Sequence, residues 1–263
     1  MRTPHILTTI IAVALTVQAF AAEVNVYSAR QDSLIVPLLD RFTEKTGIEV
    51  NLITGTANAL LSRIQAEGAA TPADVLVTVD AGNLHRAKEA GVLAAVNSAT
   101  LAEQIPVNLR DVDNQWFGLT IRSRPIFYAK DRVNPSELST YEALTDSRWK
   151  KRICVRSSSN VYNQSLVASM IEANGADATL QWAEGLVSNL ARKPAGGDTD
   201  QLRAAAAGQC DLAIANTYYF GRLIDSKKPE DREVVQKLGV FWPNQADRGA
   251  HINVSGMGVT QHA

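Results

Sequence analysis

The sequence is poor in several residue types that mark specialised classes of protein. It contains 2 cysteines in 263 residues, too few for a disulfide-dense scaffold or a zinc ribbon. Its 26 Lys+Arg nearly balance its 27 Asp+Glu, for a formal net charge of −1, so it lacks the basic excess of proteins that bind nucleic acid. Disorder is also excluded, because 46% of the residues are hydrophobic. These absences indicate a soluble globular protein of one or two domains without a nucleic-acid partner.

A long apolar run occurs at the N-terminus. Residues Ile6–Phe20 follow Arg2 and end in the small-x-small sequence 19–21. The run is short for a membrane span, and no stop-transfer charges follow it. Residues 1–21 are therefore predicted to be a cleaved signal peptide, with an uncleaved N-terminal anchor as the alternative. We expect an exported protein located in a bacterial periplasm.

Strand-like and helix-like segments alternate in the first half of the mature chain. Strands are predicted at 24–28, 48–53 and 74–79, and each is followed by an amphipathic helix that ends at a glycine. Asp32 or Ser33 is predicted to cap the first helix. This alternation is typical of an α/β protein with a parallel sheet.

The pattern changes near residues 116–130. Two extended runs, at 117–121 and 126–128, follow each other without a helix between them, which indicates a crossover into a second lobe. Strand and helix patterns then alternate again. Further strands are predicted at 152–156, 211–215, 240–242 and 252–260, and further helices at 161–174, 179–190, 199–207 and from 218.

Polar and aromatic side chains collect where three of these strands meet their helices. Arg30 and Gln31 follow the first strand, Tyr162 follows strand 152–156, and Tyr218 and Tyr219 follow strand 211–215. In open parallel sheets, ligands bind outside the C-terminal ends of the strands, where helix N-termini also point. These side chains therefore lie where a ligand is expected. The alternative for the tyrosine pair is packing of both rings into a core.

The two cysteines have matching positions relative to the tyrosines. Cys154 precedes Tyr162 by eight residues, and Cys210 precedes Tyr218 by eight residues. If the two strands are neighbours in register, the cysteines lie at one level of the sheet, and the tyrosines lie together at the C-terminal ends of its strands. In an oxidising compartment Cys154 and Cys210 can form a disulfide, with two buried free thiols as the alternative.

Three phenols in one cleft suggest two kinds of ligand. Neutral tyrosines suit sugars or aromatic ligands, whereas phenolates are hard anionic ligands for a hard, highly charged cation. Free phenol has a pKa of about 10, so ionisation at neutral pH requires the field of the metal itself. Fe³⁺ fits best, because three phenolates balance its charge. A small anion such as carbonate would fill the open coordination positions, and the planar fork of Arg30 would hold it.

The chain resembles the periplasmic ferric-iron-binding proteins of ABC transporters, the ferric-binding-protein and Fut family with the type II, transferrin-like fold. The resemblance extends along nearly the whole mature chain. It is carried by residues 26–31 (VYSARQ), 72–76 (PADVL), 122–124 (RSR), 156–165 (RSSSNVYNQS), 216–219 (NTYY) and 253–259 (NVSGMGV).

The resemblance implies a fold of two lobes, each a mostly parallel sheet flanked by helices, with the ligand cleft between them. Residues 22–120 would form the N-terminal lobe and 121–250 the C-terminal lobe, and 251–263 would cross back to the first lobe. In relatives further helices follow that strand, so the chain is expected to be truncated at its C-terminus.

The same resemblance implies the ligands of the site. Tyr162, Tyr218 and Tyr219 would bind Fe³⁺, and Arg30 would hold carbonate or bicarbonate as a synergistic anion. Further candidates for contact with an anion are Gln31, Ser158 and Asn160. Gln31 stands where some relatives carry a metal-binding His, and Val79 lies near the position of a Glu ligand in others. The chain thus resembles the subtype with three tyrosines and an anion.

The expected function is a non-catalytic, monomeric carrier that closes on Fe³⁺ and delivers it to an inner-membrane ABC permease. Closure is expected about the segments 118–128 and 251–258. The alternative keeps the same fold and binds an oxyanion or a small organic solute through Arg30, Ser158 and Asn160. A hydrolase is disfavoured, because the sequence lacks G-x-S-x-G, H-E-x-x-H and an evident nucleophile–His pairing.

Overall fold

The computed structural model describes residues 22–263, and the predicted signal peptide at 1–21 lies outside this range. The strands are β1 (Glu23–Ser28), β2 (Glu49–Thr54), β3 (Val75–Val79), β4 (Phe117–Ser123), β5 (Ile126–Ala129), β6 (Ile153–Cys154), β7 (Leu212–Ile214), β8 (Leu238–Phe241) and β9 (Ile252–Val259). The α-helices are α1 (Asp32–Thr46), α2 (Ala57–Glu67), α3 (Ala81–Glu89), α4 (Ala99–Gln104), α5 (Val161–Asn174), α6 (Ala176–Ser188), α7 (Asp198–Ala206), α8 (Thr217–Ile224) and α9 (Pro229–Lys237). None of the described helices combines the length and the apolar character needed to span a membrane.

The strands form two sheets, one in each lobe. The first sheet has the order β2-β1-β3-β9-β4, and the second has the order β6-β7-β5-β8. The chain passes from the first sheet to the second between β4 and β5, and β9 brings it back to the first sheet. The predicted two-lobed α/β fold is confirmed.

Both sheets are mixed, whereas mostly parallel sheets were expected. The pairs β1–β2, β1–β3 and β6–β7 are parallel. The strands β9 and β5 run antiparallel to both of their neighbours. The reason is that β4, β5 and β9 lie next to the passages between the lobes, so they enter their sheets without a helical βαβ crossover.

The start of the first helix differs from its prediction. Helix α1 begins at Asp32, so Gln31 occupies the N-cap position and makes no side-chain capping bond. Asp32 and Ser33 are therefore not its caps. The helix ends as expected at Gly47, which adopts the left-handed conformation that glycine tolerates best.

The core of each lobe lies on both faces of its sheet. In the second lobe, Tyr141, Trp149 and Trp182 dominate one cluster, and the alanine-rich helix α7 packs against the other face. In the first lobe, Tyr27 anchors the larger cluster. Helix α1 buries Ile35 in the smaller cluster and packs the half-buried Leu39 against it, while Leu38 and Phe42 remain exposed.

Candidate metal centre

A cleft of about 690 Å³ lies between the two lobes at the ends of several strands. The first lobe contributes the β1–α1 junction, the end of β3, and parts of β4 and β9, and the second lobe contributes α5 and α8. The lining residues are Ala29, Arg30, Gln31, Leu34, Val79, Thr120, Ile121, Arg122, Tyr162, Thr217, Tyr218, Tyr219, Gly221, Arg222, Asp225 and Ser255.

All three predicted tyrosines line this cleft. Tyr162 is the second residue of α5, and Tyr218 and Tyr219 lie in the first turn of α8. The ring centres of Tyr218 and Tyr219 are 4.4 Å apart. Successive side chains on a helix point about 100° apart, so both can reach one cleft from the first turn, where no preceding turn stands in the way. The pair is half-buried, and Tyr219 also packs against the core of the second lobe.

Burial changes the acidity of Tyr162 and Tyr218. Desolvation raises the pKa of Tyr218 above its ordinary value of 10.0, and the neighbouring Tyr162 and Tyr219 add to the rise. Desolvation also raises the pKa of Tyr162, although the positive charge of Arg122 opposes the shift. Both phenols are therefore protonated at neutral pH in the described state. A cation that binds them must displace their protons.

Two predicted anion-binding residues, Arg30 and Gln31, line the cleft but differ in the hydrogen-bonding groups that they leave for a ligand. Arg30 donates one hydrogen bond from Nη1 to Thr120 Oγ1 at 3.3 Å, so most of its five N–H donors remain for a ligand. The side-chain oxygen of Gln31 accepts from Nη2 of Arg222 in the opposite lobe at 3.0 Å. Gln31 therefore bridges the cleft to Arg222.

The other two candidates, Ser158 and Asn160, do not line the cleft. Asn160 is the N-cap of α5, and its Oδ1 accepts from the backbone N–H of Tyr162 at 3.0 Å. Ser158 is exposed in the preceding turn. Because the Asn160 side chain caps the helix and Ser158 lies outside the cleft, neither is positioned for an anion in this arrangement, and their contact with an anion stays a prediction.

Two cleft arginines were missed by the sequence reasoning. The guanidinium carbon of Arg222 lies 5.4 Å from the ring centre of Tyr218 and 5.7 Å from that of Tyr219. On a helix, residues three and four apart share a face, so the spacing from Tyr218 and Tyr219 to Arg222 was a signal in the sequence. Arg122 lies 5.8 Å from the ring centre of Tyr162 and forms a buried ion pair with Asp80 at 3.0 Å. Only the long-range fold brings Arg122 to Tyr162.

A buried ion pair organises the two tyrosine-bearing junctions from behind. Arg124 and Asp198 are 1% and 0% exposed, and Arg124 Nη1 lies 2.7 Å from Asp198 Oδ2. The same carboxylate oxygen accepts from the backbone N–H of Asn216, the residue before α8, at 2.7 Å. Arg124 Nη2 donates to Asn163 Oδ1 of α5 at 2.8 Å. The pair therefore fixes α5 and α8 relative to each other.

Cys154 and Cys210 form a disulfide in the structure, with their Cα atoms 5.9 Å apart. The strands β6 and β7 are parallel neighbours, as the spacing argument assumed. The assumed register is wrong, because Cys154 lies opposite Ala213, while Cys210 precedes β7. The tyrosines still converge, since the connection from β6 to α5 is longer than that from β7 to α8.

A family model described as "Bacterial extracellular solute-binding protein" matches residues 38–263. The chain belongs to this family. Within it, the chain is similar to iron uptake protein A1 of Synechocystis sp., with 52% identity over 92% of this chain and 67% of that protein. It is also similar to the Fe(3+)-binding periplasmic protein of Serratia marcescens, with 30% identity over 94% of this chain and 71% of that protein.

Solved structures of the same kind share the fold of this solute-binding protein. A Trichodesmium protein (IdiA, FutA), solved with iron and citrate ligands, has 52% identity and a TM-score of 0.89 over 92% of this chain and 77% of its own. The ferric binding protein from Campylobacter jejuni has 42% identity and a TM-score of 0.86 over 91% of this chain and 76% of its own.

Proposed function

We propose that this solute-binding protein captures Fe³⁺ in the cleft through the phenolates of Tyr162, Tyr218 and Tyr219. The observation that carries the proposal is the arrival of three tyrosines from two helices of one lobe at a single cleft. Phenolate oxygens are hard ligands, and three of them balance the charge of a ferric ion. The relatives named for iron uptake and Fe(3+) binding support the same cargo.

Arg30 would hold an anion that completes the coordination shell. Its guanidinium matches a planar oxyanion bidentately, and it faces the tyrosines across the cleft from the first lobe. Carbonate or bicarbonate is the proposed anion. The Trichodesmium relative was solved with citrate as well as iron, so citrate is the natural competitor in a binding test.

The lobes would close on the cargo and deliver it to an ABC permease of the inner membrane. In this proposal residues 22–123 and 124–250 move as the two lobes, because β4 extends the first sheet to Ser123, three residues beyond the expected boundary at 120. Residues 251–263 return to the first lobe. Hinge motion about a few connecting residues is the usual means of closure around a ligand. The carrier would act in the periplasm as a monomer and would catalyse no reaction. The periplasmic relative from Serratia supports this location.

A second candidate is the binding of an oxyanion or a small organic acid without metal. It is favoured by the three arginines that line the cleft, Arg30, Arg122 and Arg222. Guanidinium groups bind carboxylate and phosphate with paired hydrogen bonds. In this case the neutral tyrosine hydroxyls would donate hydrogen bonds to the ligand.

Binding measurements with one matched set of ligands separate the two candidates. The protein is mixed with Fe³⁺ and bicarbonate, passed through a desalting column and analysed for iron. Calorimetry with sulfate and phosphate is run on the metal-free protein. The ferric proposal predicts about one retained iron per chain and no heat from the other solutes. A protein that retains no iron but binds phosphate or sulfate would contradict it.

A further inference from the structure

Asp80 is a buried carboxylate at the start of α3, where the first lobe meets the connecting strands. It is 1% exposed. Its Oδ1 accepts from the backbone N–H of Gly82 at 3.0 Å, which caps α3. Its Oδ2 accepts from Arg122 Nη2 of β4 and from Asn253 Nδ2 of β9, each at 3.0 Å. One side chain therefore joins α3 to β4 and β9, the two strands of the first sheet that lie next to the passages between the lobes.

The backbone of Asp80 also has an unusual conformation. Its φ is 77° and its ψ is 131°, a combination that residues with side chains rarely adopt. Such strain persists only where the surrounding contacts determine the conformation. The contacts that hold Asp80 in this position include one from the opposite lobe.

That contact comes from Ser165 of α5, whose hydroxyl donates to Asp80 Oδ1. The starts of α3 and α5 pack closely at this point. A Cβ atom added to Gly82 would lie 3.3 Å from Val161 Cγ2 and 3.5 Å from Ser165 Oγ. The bond between Ser165 and Asp80 must break if the two helices separate.

Asp80 is connected to Tyr162 by two routes. Ser165 lies three residues after Tyr162 on α5, so the two side chains lie on neighbouring positions of the helix surface. Arg122, which Asp80 holds, lies 5.8 Å from the Tyr162 ring centre. A change at Asp80 therefore acts on Tyr162 through α5 and through Arg122.

Other contacts between the lobes lie in more exposed positions. Arg86 Nη2 donates to Gln164 Oε1 at 3.0 Å, and Arg222 Nη2 donates to Gln31 Oε1 at 3.0 Å. Water competes for exposed polar contacts, so such pairs contribute little. A hydrogen bond to a buried carboxylate is stronger, because the charge is shielded from solvent.

We propose that Asp80 and Ser165 form an interlobe latch that holds the tyrosine-bearing helix α5 against the first lobe and slows release of the bound ligand. Asp80 and Ser165 are positioning residues in this scheme, since neither lines the cleft. The part of the proposal that concerns release rests on the proposed ferric function. The part that concerns the contact between the lobes does not.

The test compares Ser165→Ala with Ser169→Ala. Both serines lie half-buried on α5, but the Ser169 hydroxyl donates to the Leu166 carbonyl of its own helix at 2.7 Å. Proteins loaded with Fe³⁺ and bicarbonate are mixed with excess ethylenediaminetetraacetate, and loss of the visible iron band is timed. We expect release from Ser165→Ala to be faster by about tenfold, the effect of one hydrogen bond to a charged group. Ser169→Ala should release iron at the unmodified rate, and both variants should still unfold cooperatively, which shows that faster release does not come from an unfolded protein.

The Asp80→Asn variant tests whether Ser165 acts through Asp80. If Ser165 acts through Asp80, Ser165→Ala should add little to the release rate in an Asp80→Asn background, as non-additive partners do. If Asp80→Asn fails to fold, the comparison of the two serine variants still tests whether the latch slows release. Equal release rates for Ser165→Ala, Ser169→Ala and the unmodified chain would overturn the latch.

Small-angle scattering of the metal-free proteins separates this proposal from the ferric one. Without the latch, the metal-free lobes should separate more often, so Ser165→Ala should have the larger radius of gyration. If the unmodified chain retains no iron, the ferric proposal fails while the scattering still tests the latch. A radius unchanged by Ser165→Ala would then refute the latch independently.

Discussion

At the scale of single residues, the candidate site depends on how charge is arranged around three phenols. Tyr162 lies between Arg122 and Arg156, whose guanidinium carbons are 5.8 Å and 5.2 Å from its ring centre. Arg122 pairs with a buried aspartate of the first lobe, and Arg156 pairs with one of the second. Each arginine is therefore fixed before a ligand arrives. Fixed positive charges favour the ionised form of a phenol when a metal displaces its proton.

The role proposed for Arg30 predicts a defect specific to the anion. Arg30→Lys keeps the charge but loses the planar fork that matches an oxyanion. We expect Fe³⁺ affinity to fall by roughly tenfold at a fixed bicarbonate concentration, with a weaker dependence on bicarbonate. Arg148→Lys is the control, because Arg148 is exposed and pairs with Asp146 at 3.2 Å. Affinity that follows bicarbonate equally in both variants would refute the role of Arg30.

Glu142 predicts a pH dependence of stability at a place remote from the cleft. Burial raises the pKa of its carboxyl, but hydrogen bonds from Asn244, Arg248 and Asn174 outweigh this effect and bring the pKa to about 2. Because the folded pKa lies below the unfolded value of 4.5, the carboxylate stabilises the fold above that value. This contribution is lost as the pH falls towards 2.

Glu142→Gln should therefore lower the thermal midpoint at pH 7 and lower it less as the pH falls below about 4. Thermal unfolding at a series of pH values measures the difference between the two proteins. Glu172→Gln, on the exposed face of α5, serves as the control. A difference that stays constant between pH 7 and pH 3 would contradict the assignment.

At the scale of secondary-structure elements, long helices with a clear end signal were predictable. Helix α5 was predicted with the bounds that the structure gives, because it is long and Gly175 follows its last residue. Helix α9 was missed, since it is short and strongly polar and buries only two of its residues, Asp231 and Val234. The register of β6 against β7 was predicted wrongly, because equal spacing along the chain does not fix the pairing of short strands.

Local sequence patterns identify some residues of the candidate site, whereas others are placed by contacts between distant parts of the chain. The three tyrosines and Arg30 follow predicted strands, and the rule that ligands bind at strand ends is sufficient to find them. Asp80 and Asp198 were not identified, although they fix the arginines next to Tyr162. Arg122 lies 42 residues from Asp80 in the chain, and Arg156 lies 42 residues from Asp198. Such pairings depend on the sheet order, which local patterns do not specify.

The disulfide reinforces the shortest pairing between the strands that lead to the tyrosines. Strands β6 and β7 share two residue pairs, Ile153 with Leu212 and Cys154 with Ala213. The cross-link spans 56 residues of sequence, for which loop-closure entropy predicts a stabilisation of about 4 kcal/mol. The double variant Cys154→Ala, Cys210→Ala should therefore have a lower free energy of unfolding by an amount of this order.

Denaturant unfolding with and without dithiothreitol measures this effect. The reductant should destabilise the unmodified protein by a similar amount and leave the double variant unchanged. Identical unfolding curves for the oxidised protein and the double variant would show that the cross-link contributes nothing.

At the scale of the whole molecule, the proposed function depends on two lobes that share one cleft. The tyrosines belong to the second lobe, whereas Arg30 and Arg122 belong to the first. A bound ferric ion and its anion would therefore contact phenolates of one lobe and guanidinium groups of the other. The mixed sheets follow from this design, because β4, β5 and β9 must run next to the passages between the lobes. In the proposed function, a closed cleft would hold the cargo, and separation of the lobes would expose it for delivery.

The visible absorption spectrum of the purified protein with Fe³⁺ and bicarbonate tests the central claim most directly. Tyr218→Phe and Tyr219→Phe are measured beside it, with Tyr128→Phe as the control, because Tyr128 packs against the core of the second lobe. Ferric binding by the three tyrosines predicts a phenolate-to-iron charge-transfer band that each cleft variant weakens or shifts and that Tyr128→Phe leaves unchanged. A colourless unmodified protein, or a band that both cleft variants retain unaltered, would contradict it.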